Sequence, residues 1–116
     1  MKVLLVDDEK KFATMLSKRL ALRGIDIDCA NTGEDALQLI EQTKYDVAII
    51  DVKMPGIGGI ELEQRLRDLA PGIKSIFVTG HGSEQDFGVG STKAAYYLAK
   101  PLKIEKLIEI LQKVTE

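Results

Sequence analysis

Four short, unbroken apolar runs do most to limit what this chain can become. They are residues 3–6 (Val-Leu-Leu-Val), 47–50 (Val-Ala-Ile-Ile), 76–78 (Ile-Phe-Val) and 96–98 (Tyr-Tyr-Leu). None is long enough for an ordinary helix, and none offers a charged position to water. Each therefore reads as a strand covered on both faces, the habit of parallel sheets. Residues 25–30 differ: Ile25, Ile27 and Cys29 alternate with Asp26 and Asp28, the period of a half-buried edge strand.

Between the strands the apolar spacing shifts to three and four. Phe12, Met15, Leu16 and Leu20 share a face within residues 10–23, and Gly24 supplies the stop. Thr32 stands as N-cap to a helix carrying Ala36, Leu37 and Ile40. Leu62, Leu66 and Leu69 stripe a third helix, ended by Pro71-Gly72, and Ile104, Leu107, Ile108, Leu111 and Val114 stripe the last. Residues 83–94 form a weaker helix, because Gly88 and Gly90 each cost about 1 kcal/mol against Ala. Five strand–helix units predict a flavodoxin-like α/β fold. The sheet is doubly wound, parallel and five-stranded in the order 2-1-3-4-5, with five helices.

With 116 residues and no repeat, low-complexity tract or linker, residues 1–116 read as one domain. Sixteen basic and eighteen acidic side chains give a net charge of −2, which offers nucleic acid or an anionic membrane no electrostatic hold. The lone Cys29 fits a reducing, cytoplasmic setting. The first apolar run is too short for a signal core and ends in Asp7-Asp8-Glu9. No stretch reaches the length needed to span a bilayer.

Ligands of doubly wound sheets sit beyond the carboxyl ends of the strands. There the first run ends in Asp7-Asp8, the second runs into Asp51, the third into Thr79, and Lys100 follows the fourth. Three carboxylates brought together repel, and a hard divalent cation such as Mg²⁺ relieves the conflict. Asp51 is the candidate nucleophile, forming an acyl phosphate. Lys100 offers a fixed positive charge and Thr79 a hydroxyl donor, the positioning that phosphoryl transfer requires. Singly, an Asp or Thr after a strand reads as a helix cap, and a Lys before Pro as surface. The convergence of four strand ends on the parts of one reaction outweighs those readings.

Four blocks, Val6-Asp7-Asp8-Glu9, Asp51-x-x-Met54-Pro55-x-x-x-Gly59, Val78-Thr79-Gly80 and Tyr97-Leu98-x-Lys100-Pro101, resemble the signature blocks of response-regulator receiver domains in order and spacing. The resemblance implies that Asp51 is the phosphoacceptor of a two-component system, charged by a sensor histidine kinase, a histidine phosphotransfer protein or a small phosphodonor. It implies that Asp8 and Asp51 bind Mg²⁺ with the backbone carbonyl of Lys53, and that Asp7 acts mainly through metal-bound water. Thr79 and Tyr97 match a coupled switch pair, and Lys100-Pro101 a cis peptide. Such a domain is a signalling device rather than an enzyme with a separate substrate. It switches a face made by the helix of residues 83–94, the last strand and the last helix, which receives an output domain or a second copy.

Lys93 stands where receivers commonly carry Gly, which bears on the turn into the last strand. His81, between two glycines, reads as an exposed loop residue, and Tyr96 as surface or partner contact. Lys11, Lys18 and Arg19 read as a solvated helix face or as a docking side for a kinase helix. Rival readings fit less well. A haloacid-dehalogenase-type phosphohydrolase wants an acid where Lys53 stands, and an FMN binder wants a Ser/Thr/Gly-rich loop where Asp7-Asp8-Glu9 stands. A receiver-like module that binds partners without phosphorylation shares the fold, but the intact set of Asp7, Asp8, Asp51, Thr79 and Lys100 argues against it. The chain reads either as a complete single-domain regulator or as the receiver of a longer one.

Overall fold

The strand runs form as expected because their side chains alternate between two apolar layers. In the computed structural model, which describes residues 1–80 and 96–115, five parallel strands pair in the order β2-β1-β3-β4-β5. They are β1 (Lys2–Val6), β2 (Asp26–Ala30), β3 (Val47–Asp51), β4 (Lys74–Thr79) and β5 (Tyr96–Ala99). The helices are α1 (Lys10–Ala21), α2 (Gly33–Gln42), α3 (Gly59–Leu69) and α4 (Ile104–Val114). The expected helix at residues 83–94, with Gly88, Gly90 and Lys93, lies outside the described residues, as does His81.

Val3, Leu5, Val47, Ile49, Ile76 and Val78 point to one face and pack under α1 and α4. Their neighbours Leu4, Val6, Ala48, Ile50 and Phe77 point to the other and pack under α2 and α3. This period of two explains why β1, β3 and β4 carry charge only at their ends, at Lys2, Asp51 and Lys74. β5 departs from that expectation. It is an edge strand, with Tyr96 and Ala99 exposed and Tyr97 and Leu98 only half-buried. On β2, Ile27 is half-buried as expected, but Cys29 is exposed and its sulfur lies 2.6 Å from Ser17 Oγ.

Helix ends follow local chemistry. Thr32 Oγ1 accepts from the Asp35 amide at 3.0 Å, capping α2. Gly24 takes φ 80°, past the end of α1, where a side chain would be strained. The faces need two corrections. Met15 is 42% exposed, with Ala13, Leu16 and Leu20 making the buried stripe of α1. Leu69 is 52% exposed, and Glu63 instead lies buried on α3, paired with Arg67 at 3.0 Å.

Candidate functional site

Strand register sets the site. Val6 is level with Ile50, so Asp7 and Asp51 leave adjacent strands at the same height. Asp51 is level with Val78, which places Thr79 one step further, and Thr79 is level with Ala99, which places Lys100 one step beyond that. β1 has β2 on one side and β3 on the other, so the Asp7–Asp51 neighbourhood is the point where the winding reverses.

The carboxylates meet there. One oxygen each from Asp7, Asp8 and Asp51 lie within 4.8 Å of one another. Asp7 and Asp51 are buried and Asp8 is exposed. Burial first, then the charge of Asp7, push the Asp51 carboxyl up to about 6, against the pull of Lys100 and of the Lys53 amide. That amide donates to Asp51 Oδ1 at 3.2 Å. Asp7 is likewise raised by burial, although the Glu9 amide donates to its Oδ1 at 2.9 Å. Two buried carboxylates crowded beside an exposed third suit a hard divalent cation entering from solvent.

Lys100 reaches over the rim. Its ammonium is 3.2 Å from Asp7 Oδ2 and 2.7 Å from Glu9 Oε1, and it lies 4.4 Å from the centre of the Phe12 ring. Burial works to lower its pKa, but the Glu9 hydrogen bond and the Asp7 and Asp51 charges carry it above the ordinary value. The Lys100 amide donates to the Thr79 carbonyl at 2.7 Å, tying the two rim residues together, and the Lys100-Pro101 bond is cis. Thr79 is fully buried, and its hydroxyl has no hydrogen-bond partner among the described residues. Tyr97 lies half-buried with its ring 5.6 Å from Phe77, and burial and the charge of Glu63 raise its hydroxyl's pKa.

Asp7, Asp8, Asp51, Lys53, Thr79 and Lys100 therefore share one rim, and Tyr97 sits on the strand leading to it. Two neighbours of Lys100 escaped the sequence reading. Glu9 was legible only as part of a motif, and Phe12 only as a core residue. Their position, within a few residues of the first strand's end, was the available signal.

The model of the response regulator receiver domain matches residues 3–112. The chain belongs to the response-regulator receiver family. Response regulator GacA of Pseudomonas aeruginosa is 36% identical over 118 residues, 97% of this chain and 54% of that protein. Transcriptional regulatory protein TrcR of Mycobacterium tuberculosis is 30% identical over 96% of this chain and 44% of that protein. The receiver thus spans about half the length of the curated relatives it matches. Among solved structures, response regulator TrrA of Thermotoga maritima, in complex with Mg²⁺-BeF, superposes with a TM-score of 0.86 at 31% identity over 97% of both chains. The acidic cluster of this receiver is consistent with Mg²⁺ binding, and no helix among its described residues is long and apolar enough to cross a membrane.

Proposed function

We propose that this receiver accepts a phosphoryl group on Asp51 and relays it as a change of surface. The observation that carries the reading is the meeting of three carboxylates within 4.8 Å beneath an ammonium ion-paired to one of them. Asp7, Asp8, Asp51 and the Lys53 carbonyl are the groups that would hold Mg²⁺, which when bound supplies neutralising charge for phosphoryl oxygens. TrrA, of the same fold and size, was solved with Mg²⁺-BeF, which supports that choice.

In the transfer, an Asp51 carboxylate oxygen attacks phosphorus as the donor's bond to it breaks. With a phosphohistidine, the departing imidazole nitrogen keeps the bonding pair. With acetyl phosphate, acetate does so. Lys100 meets the charge on the phosphoryl oxygens, and the buried Thr79 hydroxyl turns to donate to one of them. The chain thus catalyses only its own charging and discharge. The donor is a sensor histidine kinase or a histidine phosphotransfer protein, and the setting is cytoplasmic.

The movement of Thr79 frees space into which the Tyr97 ring turns from the edge strand, altering the face of β5 and α4. That face, together with the segment of residues 83–94, receives an output domain or a second copy of the chain. Residues 1–116 act as one phosphoacceptor domain. Incubation with acetyl phosphate and Mg²⁺, followed by intact-mass measurement, tests the reading through a single added phosphoryl group.

A further inference from the structure

Lys100 is engaged away from the residue it is meant to serve. Its ion pairs among the described residues run to Glu9 at 2.7 Å and Asp7 at 3.2 Å, and none to Asp51. The shorter contact goes to a carboxylate outside the acidic cluster. Glu9 also differs in setting, since its side chain is 63% exposed while that of Lys100 is 17% exposed. The Phe12 ring, 4.4 Å away, covers another side of the ammonium.

An ammonium has three hydrogens to donate. With Glu9 and Asp7 accepting and Phe12 adjoining, the side chain is drawn toward the loop between β1 and α1. A phosphoryl group on Asp51 competes with Glu9 for this ammonium. The exposure of Glu9 keeps its contact weak enough to open, because water replaces the lost partner. The Glu9 amide is bonded to Asp7 Oδ1, so the backbone beneath the carboxylate stays anchored as the contact opens.

We propose that Glu9 is a positioning residue for the charging of Asp51, a latch that holds the Lys100 ammonium off the phosphoryl site. The inference rests on Asp51 being the acceptor. It assigns to Glu9 the setting of how readily Lys100 reaches the incoming group. Removing the latch leaves Lys100 free to meet that group sooner, and charging speeds up.

Two substitutions separate the contact from the charge. Glu9→Gln removes the charge, and Glu9→Asp keeps it but shortens the arm by one methylene. Rates of phosphoryl uptake from acetyl phosphate at saturating Mg²⁺ are read by intact mass, and affinities for beryllofluoride and for Mg²⁺ alone by calorimetry. Both variants are expected to charge about three-fold faster, the scale of an exposed ion pair. They should bind beryllofluoride correspondingly tighter, and Glu9→Asp should keep the wild-type Mg²⁺ affinity and melting temperature. The latch is overturned if Glu9→Asp matches wild type: a faster Glu9→Gln would then show that the field of the carboxylate matters rather than its grip, and an unchanged one that neither does. It is overturned equally if the Mg²⁺ affinity of Glu9→Asp changes in step with its rate. Should wild type neither take up phosphoryl nor bind beryllofluoride, the acceptor reading fails and the latch with it.

Discussion

The Tyr97 ring lies 5.6 Å from the ring of Phe77, tilted by 31°, and the two residues are register partners across β4 and β5. Phe77 is 1% exposed and fixed by the core beneath α2 and α3, whereas Tyr97 is half-buried on β5, at the end of the strand order. One ring is therefore the wall against which the other would turn in the proposed switch. Tyr97→Ala is expected to bind beryllofluoride still, while the amides of β5 and α4 lose their change in hydrogen exchange. A full response in the variant would remove Tyr97 from the switch.

Acid–base behaviour follows from the crowding of carboxylates. Burial, then Asp7, hold the Asp51 carboxyl at about 6, above the value near 3.9 of an unfolded chain. The folded state thus binds this proton more tightly, so the stability it contributes is complete below the unfolded pKa and is lost as pH rises through about 6. In metal-free buffer at pH 8, ionised Asp51 destabilises the fold by on the order of 2–3 kcal/mol. Asp51→Asn should melt above wild type at about pH 8 with chelator present, and the gap should close as pH falls below the folded pKa. A gap independent of pH would show that Asp51 is not strained by its surroundings.

Much of this was legible in the chain. The strands announced themselves because β1, β3 and β4 are covered on both sides, and the rim residues because parallel strands must end together. Helix faces were less legible. Met15 and Leu69 fit the apolar period, yet their positions turn away from the sheet, and Ala13 and Ile110 are buried instead. Glu63, which the apolar period passes over, is buried with Arg67, one turn on, neutralising its charge. The Lys100–Glu9 contact joins residues 91 apart in sequence, a pairing that only the assembled sheet creates.

Gly59 makes a tight point beneath Asp51. A Cβ there would run into the Asp51 carbonyl oxygen and come within 2.8 Å of Val52 Cα, both backbone atoms with little freedom to move. The Gly59 amide also donates to the Val52 carbonyl at 3.0 Å, which pins the start of α3 to the end of β3. Gly59→Ala is expected to cost about 1–3 kcal/mol by overpacking and to slow charging of Asp51 by shifting its backbone. Denaturant melts and uptake rates check the pair of effects, and a variant equal to wild type in both would contradict the close approach.

Mg²⁺ should stabilise the folded chain, since the three carboxylates come together only there. Millimolar Mg²⁺ is expected to raise the wild-type melting temperature by roughly 5 °C. Asp8 is the exposed member of the cluster, so Asp8→Ala should fold normally and lose this response. Equal shifts in both proteins would move the metal elsewhere.

Under the proposed function Asp51, and no other carboxylate of the cluster, takes the phosphoryl group. Wild type and Asp51→Asn are incubated with acetyl phosphate and Mg²⁺, and their intact masses compared before and after mild alkali. Wild type is expected to gain one phosphoryl group, lost in alkali as an acyl phosphate is, and the Asn variant none. Equal labelling of Asp51→Asn would contradict the proposal.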